Sequence, residues 1–150
     1  MRLARMTHAV QRLRAALFVA TLVPLLGCAD SKGKSEASQL ARLVDSVRAA
    51  PNDQKRAPFD QLRAFSCTAP DVCAARKACL ESFEHHVRGI ELTTELQKRM
   101  AASKPGSLSD QERQDLGRKL LEANIELDQG KELQPTCDQL VTDMRIQRRI

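Results

Sequence analysis

The chain has 150 residues, with 24 Lys and Arg against 19 Asp and Glu and a pI near 9.2. Four of the basic residues, Arg2, Arg5, Arg12 and Arg14, stand before residue 15 and leave 20 basic against 19 acidic side chains in the remainder, so the basicity belongs to the N-terminus and marks no nucleic-acid surface. After residue 28 the only aromatics are Phe59, Phe65 and Phe83, which disfavours sugar sites and single-strand nucleic-acid platforms, both of which rely on exposed aromatic faces.

The N-terminus has the three-part grammar of an export signal: a basic stretch without acids, a charge-free apolar run from Ala15 to Leu26, and the small residue Gly27. As a helix the uncharged span 15–29 rises roughly 22 Å, short of the roughly 30 Å hydrocarbon core. A permanent membrane-spanning helix is therefore not expected, and Leu13 between Arg12 and Arg14 breaks any twin-arginine pair. Leu25-Leu26-Gly27-Cys28 resembles the lipobox of bacterial lipoproteins. The resemblance covers about the first thirty residues. It implies attachment of diacylglycerol to the Cys28 thiol, cleavage before Cys28 and acylation of the new amino group, which together hold a protein durably on a membrane. It also implies residence in the cell envelope on the periplasmic side, and Ala29 rather than Asp after the cysteine favours the outer over the inner membrane.

Residues 28–37 are small and polar and read as a flexible tether, followed by a helical domain over 38–150. Leu40, Leu43, Val44 and Val47 follow the i, i+3, i+4, i+7 pattern of a first helix, stopped by Pro51-Asn52-Asp53. Pro58 suits the first turn of a short helix that buries Phe59, Leu62 and Phe65. Thr68 is the expected cap of a long helix, with Pro70 and Asp71 in its first turn. That helix is expected to run to about Ala102 and to turn Val72, Cys79, Phe83, Val87, Ile90 and Met100 toward a partner. Ser103-Lys104-Pro105-Gly106-Ser107 breaks it. Ser109 and Glu112 form a capping box for the next helix, with Leu116, Leu120, Ala123 and Leu127 on one stripe and Gly130 as its end. Pro135 opens the last helix, in which Cys137, Leu140, Val141 and Met144 share a face. The basic end, Arg145 to Arg149, suits a solvated helix C-terminus. No strand-like alternation competes, and the expected fold is all-α: a small disulfide-stapled bundle of four to five helices.

Four cysteines remain after Cys28: Cys67, Cys73, Cys79 and Cys137. An even number in an oxidising compartment reads as two staples. Cys73 and Cys79 lie six residues apart on one helix, a rise of about 9 Å, beyond the roughly 7 Å that a disulfide spans. The preferred pairing is Cys67 with Cys73 and Cys79 with Cys137, since Cys67 precedes the helix and can fold back on its first turns; Cys67 with Cys79 and Cys73 with Cys137 stays open. The Cys-x5-Cys-x5-Cys spacing does not suit zinc, and no Cys-x-x-Cys suggests thiol exchange.

His85 and His86 are the only histidines after the leader. Glu81 and His85 are i, i+4 neighbours on a helix and, with His86, form the one candidate metal or small-ligand set, though a transition metal asks for three or four convergent ligands. No nucleophile elbow, phosphate loop, His-Glu-x-x-His or paired-carboxylate cleft appears, so catalysis and cofactors are not expected. The expected function is a non-catalytic helical interaction module, an adaptor anchored to the membrane through Cys28 with a protein partner in the envelope. The alternative is a small-ligand or metal-binding protein using Glu81, His85 and His86.

Overall fold

The computed structural model describes residues 24–103 and 108–150, with side chains described from Ser31 onward. The expected export signal as far as Val23 and the breaker residues Lys104 to Ser107 lie outside the described residues, as does the side chain of Cys28. Four α-helices are described: α1 (Pro24–Ala49), α2 (Arg56–Ala64), α3 (Pro70–Ala102) and α4 (Asp110–Arg148), with a single 3-10 turn at Asn52–Gln54 between the first two. No strand occurs among the described residues. The protein is a small all-α bundle stapled by two disulfides.

Packing follows the apolar stripes. Leu40, Val44 and Val47 of α1, Phe59 and Leu62 of α2, Val72, Ala75, Cys79, Phe83 and Val87 of α3, and Cys137, Val141 and Met144 of α4 form one buried cluster. This base contains all of α2 and the first half of α3, but only the last third of α4. Beyond Val87 the 3-10 turn and the start of α2 still flank α3, where Arg56 pairs with Glu91 at 2.8 and 2.7 Å, and farther out the two long helices continue as an antiparallel arm, whose buried residues are Ile90 and Leu96 on α3 and Ala123 and Glu126 on α4. From Glu91 to Ala102 the arm advances about 16 Å.

Three sequence expectations meet corrections. The proposed tether is helical: Gly33 and Ala37 are buried, and Glu36 reaches the start of α3. Small polar residues favour a flexible chain only when nothing packs on them, and here tertiary contacts override propensity. Thr68 does not cap α3; Ala69 occupies that position without a side-chain cap bond. Instead the Thr68 and Ala69 amides donate to Glu36 Oε2 at 2.8 and 3.0 Å, and the Thr68 hydroxyl donates to Oε1 at 2.6 Å. A carboxylate from another helix thus takes the capping role.

Gly130 and Pro135, expected as a stop and a start, both lie inside α4. The buried positions Ala123, Glu126, Gly130, Cys137, Val141 and Met144 recur every three, four or seven residues, one uninterrupted heptad phase that favours a single helix over the local breaking signals. Gly130 is there because α3 passes close: a Cβ would stand 2.9 Å from the His86 amide nitrogen and 3.0 Å from the Ser82 carbonyl. Pro135 is exposed and forfeits one intrahelical bond. The capping box is as expected, with Glu112 N–H donating to Ser109 Oγ and Ser109 N–H to Glu112 Oε2.

Candidate functional site

Three places in the fold could carry function, and the first concerns the adjacent histidines. Successive helical positions are 100° apart, so His85 and His86 face different neighbours. His85 points to α4, and since a carboxylate only accepts, its Nδ1–H donates to Glu126 Oε2 at 2.7 Å. Arg88 joins from the next turn, with Nε 3.2 Å from Glu126 Oε1 and Nη2 3.0 Å from Glu122 Oε1. The buried Glu126 is therefore compensated by one imidazole and one guanidinium, as a buried charge requires. Glu81 is exposed and takes no part. The structure does not bring Glu81, His85 and His86 together, and no group of three potential metal ligands occurs among the described residues.

His86 instead borders a cleft of about 310 Å³ between the end of α1 and the α3–α4 crossing, lined by Val47, Arg48, Lys55, Phe83, Val87 and Gln134 among others. Burial, and secondly the Lys55 ammonium, hold the His86 imidazolium pKa below its usual value. The two cations of the cleft are already engaged. Lys55 Nζ donates to the Val47 and Arg48 carbonyls at 3.0 and 3.3 Å, closing the C-terminus of α1, and Arg48 pairs with Asp138. The geometry is that of an apolar crevice with a neutral imidazole on its wall; it is not a preformed anion site.

The third place is the outer face of the arm. Leu121 and Ile125 of α4 are 61% and 48% exposed, and Met100 near the end of α3 is 63% exposed. Leu120, expected on the buried stripe, is 51% exposed, while Leu116 and Leu127 are half-buried. Met100 and Leu120 depart from expectation for one reason: an arm of two helices has no third helix to cover the flanks of its seam. Leu121 and Ile125 point away from α3 altogether, being about 180° and 140° round the helix from the Ala123–Gly130–Cys137 seam. The arm itself is held by polar ties. Lys119 Nζ is 2.9 Å and Arg99 Nη2 2.8 Å from Glu95 Oε1, and these two cations hold that carboxyl below the usual carboxylate range, Lys119 foremost.

The basic C-terminus is more than a solvated end. Arg145 Nη2 lies 2.6 Å from Asp45 Oδ2, and Arg148 grips Asp71 in bidentate fashion at 2.8 and 2.7 Å. The Arg148 guanidinium also lies over Gly33, so one side chain of α4 reaches both α1 and the N-terminus of α3. Sequence reasoning misses this tie, because an acid in the first turn of a helix, as Asp71 is, reads only as a dipole partner. The staples are Cys67–Cys73, with Cα atoms 5.5 Å apart, and Cys79–Cys137, 4.6 Å apart, which is the preferred pairing.

No helix among the described residues is long and apolar enough to cross a membrane. No protein-family model matches the chain, and neither a curated protein nor a solved structure matches it.

Proposed function

We propose that the protein is a lipid-anchored envelope lipoprotein, held on the periplasmic side of the outer membrane through Cys28, and that its helical domain is a non-catalytic interaction module. The observation that carries the second half is the arm. A stapled base buries its apolar stripes, whereas the two longest helices run on past it and expose Leu120, Leu121, Ile125 and Met100. Large apolar side chains on a projecting element are the common mark of a docking surface. The anchor rests on the lipobox-like Leu25-Leu26-Gly27-Cys28, and α1 joins that cysteine directly to the base, so the domain stands close to the bilayer.

Each half has its own experiment. Cys28→Ser abolishes incorporation of a fatty-acid probe; labelling that persists removes the anchor. A photo-crosslinking residue placed in living cells at Leu121, Ile125 or Met100 gives a reproducible adduct with one identified protein, and the same residue at exposed Glu81 on the base does not. Adducts of equal yield at all four positions, or at none, remove the interaction module.

The small-ligand reading keeps one observation, the cleft over His86. There His86→Ala lowers the affinity of an apolar ligand found by calorimetry, and an unchanged affinity ends that reading. Glu81 and His85 have no place in it.

A further inference from the structure

We infer that the Leu121–Ile125 face of α4 docks against the same face of a second copy of this chain, antiparallel, about a two-fold axis. The inference rests on reading the arm as an interaction element and names the partner of one of its faces.

The argument is the charge pattern along that face. Gln114, Arg118, Leu121, Ile125, Asp128 and Glu132 lie on one side of α4 and are exposed. The apolar pair is at the centre, with a cation on its N-terminal side and acids on its C-terminal side. If two such faces meet antiparallel with Leu121 against Ile125 of the other copy, symmetry sets the second Leu–Ile contact as well. The same register brings Arg118 level with Asp128 of the second copy, and Gln114 level with Glu132. Every pair then occurs twice, as an isologous interface demands. Parallel pairing in register would set Arg118 beside Arg118 and Asp128 beside Asp128, which like-charge repulsion disfavours.

The state of these groups in the single chain agrees. Asp128 has no ion-pair partner among the described residues, and Arg118 has only Asp115 one turn away on its own helix. Both are available to a second copy without breaking a contact between helices. An anionic bilayer is a poorer occupant, because Asp128 and Glu132 would face it. The strip from Gln114 to Glu132 is about 27 Å long and one helix wide, less than the roughly 800 Å² per partner of a standard interface. The pair is therefore reversible, and confinement to one membrane surface raises its effective concentration.

Sedimentation velocity of the full chain, in density-matched detergent and over a range of protein concentrations, tests this. The wild type moves from monomer to dimer with rising concentration. Leu121→Lys weakens the dimer at least about tenfold, as truncating a central apolar contact does. Arg118→Asp and Asp128→Arg each weaken it, and the double exchange Arg118→Asp with Asp128→Arg restores it. All of these positions are solvent-facing in the monomer, so unchanged helical circular dichroism and unfolding midpoints keep a folding defect apart. A wild type that stays monomeric, a dimer indifferent to Leu121→Lys, or a double exchange that fails to restore association overturns the inference. In that event a crosslink from Leu121 to a different envelope protein leaves the interaction module standing with another partner, whereas silence at every arm position removes both.

Discussion

The backbone of Gly130 lies directly against that of His86: a Cβ on the glycine would come 2.9 Å from the His86 amide nitrogen, and the neighbouring Ser82 hydroxyl donates to the Gly130 carbonyl at 2.9 Å. At this point α3 and α4 touch main chain to main chain. Gly130→Ala must push the helices apart where neither can yield cheaply, and overpacking of this kind costs about 1–3 kcal/mol, against which alanine's better helix propensity returns about 1 kcal/mol, so the net change is destabilising by up to about 2 kcal/mol. Gly117 is the internal control. A Cβ there meets nothing within 4 Å, so Gly117→Ala raises stability by about 0.5–1 kcal/mol. Urea unfolding of the two variants gives shifts of opposite sign; a neutral Gly130→Ala would mean that the helices are not in contact there.

The glycine also shows where the sequence was legible and where it was not. Stripes such as Leu40–Val44–Val47 and Phe59–Leu62 announced α1 and α2 because each element buries one side and nothing local contradicts the period. The capping box at Ser109 and the preference for Cys67–Cys73 were readable for a similar reason, since both depend on short separations, and Cys79–Cys137 is the pair that this preference leaves. Gly130 and Pro135 misled because breaker signals are local, whereas the helix is maintained by a seam running from Ala123 to Met144. Glu36, Arg148 and Glu126 were out of reach of pattern reading. Their partners Thr68, Asp71 and His85 are distant in sequence, and a charged residue that crosses between helices looks like any solvated one until the fold is known.

Glu36 makes the base sensitive to acid. The Thr68 hydroxyl first, then the Ala69 and Thr68 amides, hold its pKa down from 4.5 to about 2. A carboxyl whose folded pKa is depressed contributes stability that is fully present above its unfolded value and is lost as pH falls toward the folded one. The window is therefore about pH 4.5 down to about 2. Because Glu36 remains in touch with solvent, the contribution is discounted to about 1 kcal/mol. Glu36→Gln loses that amount at pH 7 and flattens the corresponding limb of the stability profile; an unchanged acid limb would rule out the trans cap. Asp71, held low chiefly by its bond from Arg148, adds to the same limb and persists in that variant.

The two staples differ in what they constrain. Cys79–Cys137 closes a separation of 58 residues and Cys67–Cys73 one of 6. In the chain-entropy account the first stabilises by about 4 kcal/mol and the second by about 2. Replacing Cys79 and Cys137 together by Ala lowers the unfolding free energy by about twice as much as replacing Cys67 and Cys73. Cys79 and Cys137 are fully buried whereas the other two are half-exposed, so a thiol reductant under native conditions opens Cys67–Cys73 first, which mass spectrometry after alkylation reads directly. The reverse order of opening would place the Cys79–Cys137 staple outside the core.

A second pH limb belongs to His86 and runs at milder acidity. Desolvation in the cleft, with Lys55 nearby, lowers its folded pKa below 6.5. For a base, a lowered folded pKa means that the unfolded chain binds the proton more readily, so stability rises with pH through this range. As pH falls below about 6.5 the unfolded state gains a proton that the folded state refuses, and stability declines until the folded pKa is reached, then levels. His86→Gln removes the charge change and keeps a polar side chain of similar reach, so it abolishes the decline below pH 6.5 while leaving the Glu36 limb in place. The other charged groups lining the cleft are Arg48 and Lys55. Unfolding free energies of wild type and His86→Gln, measured at half-unit steps between pH 7.5 and 4.5, give converging curves at the top of the range and separated ones below it. Parallel curves would mean that His86 takes up its proton in the folded protein as freely as in water.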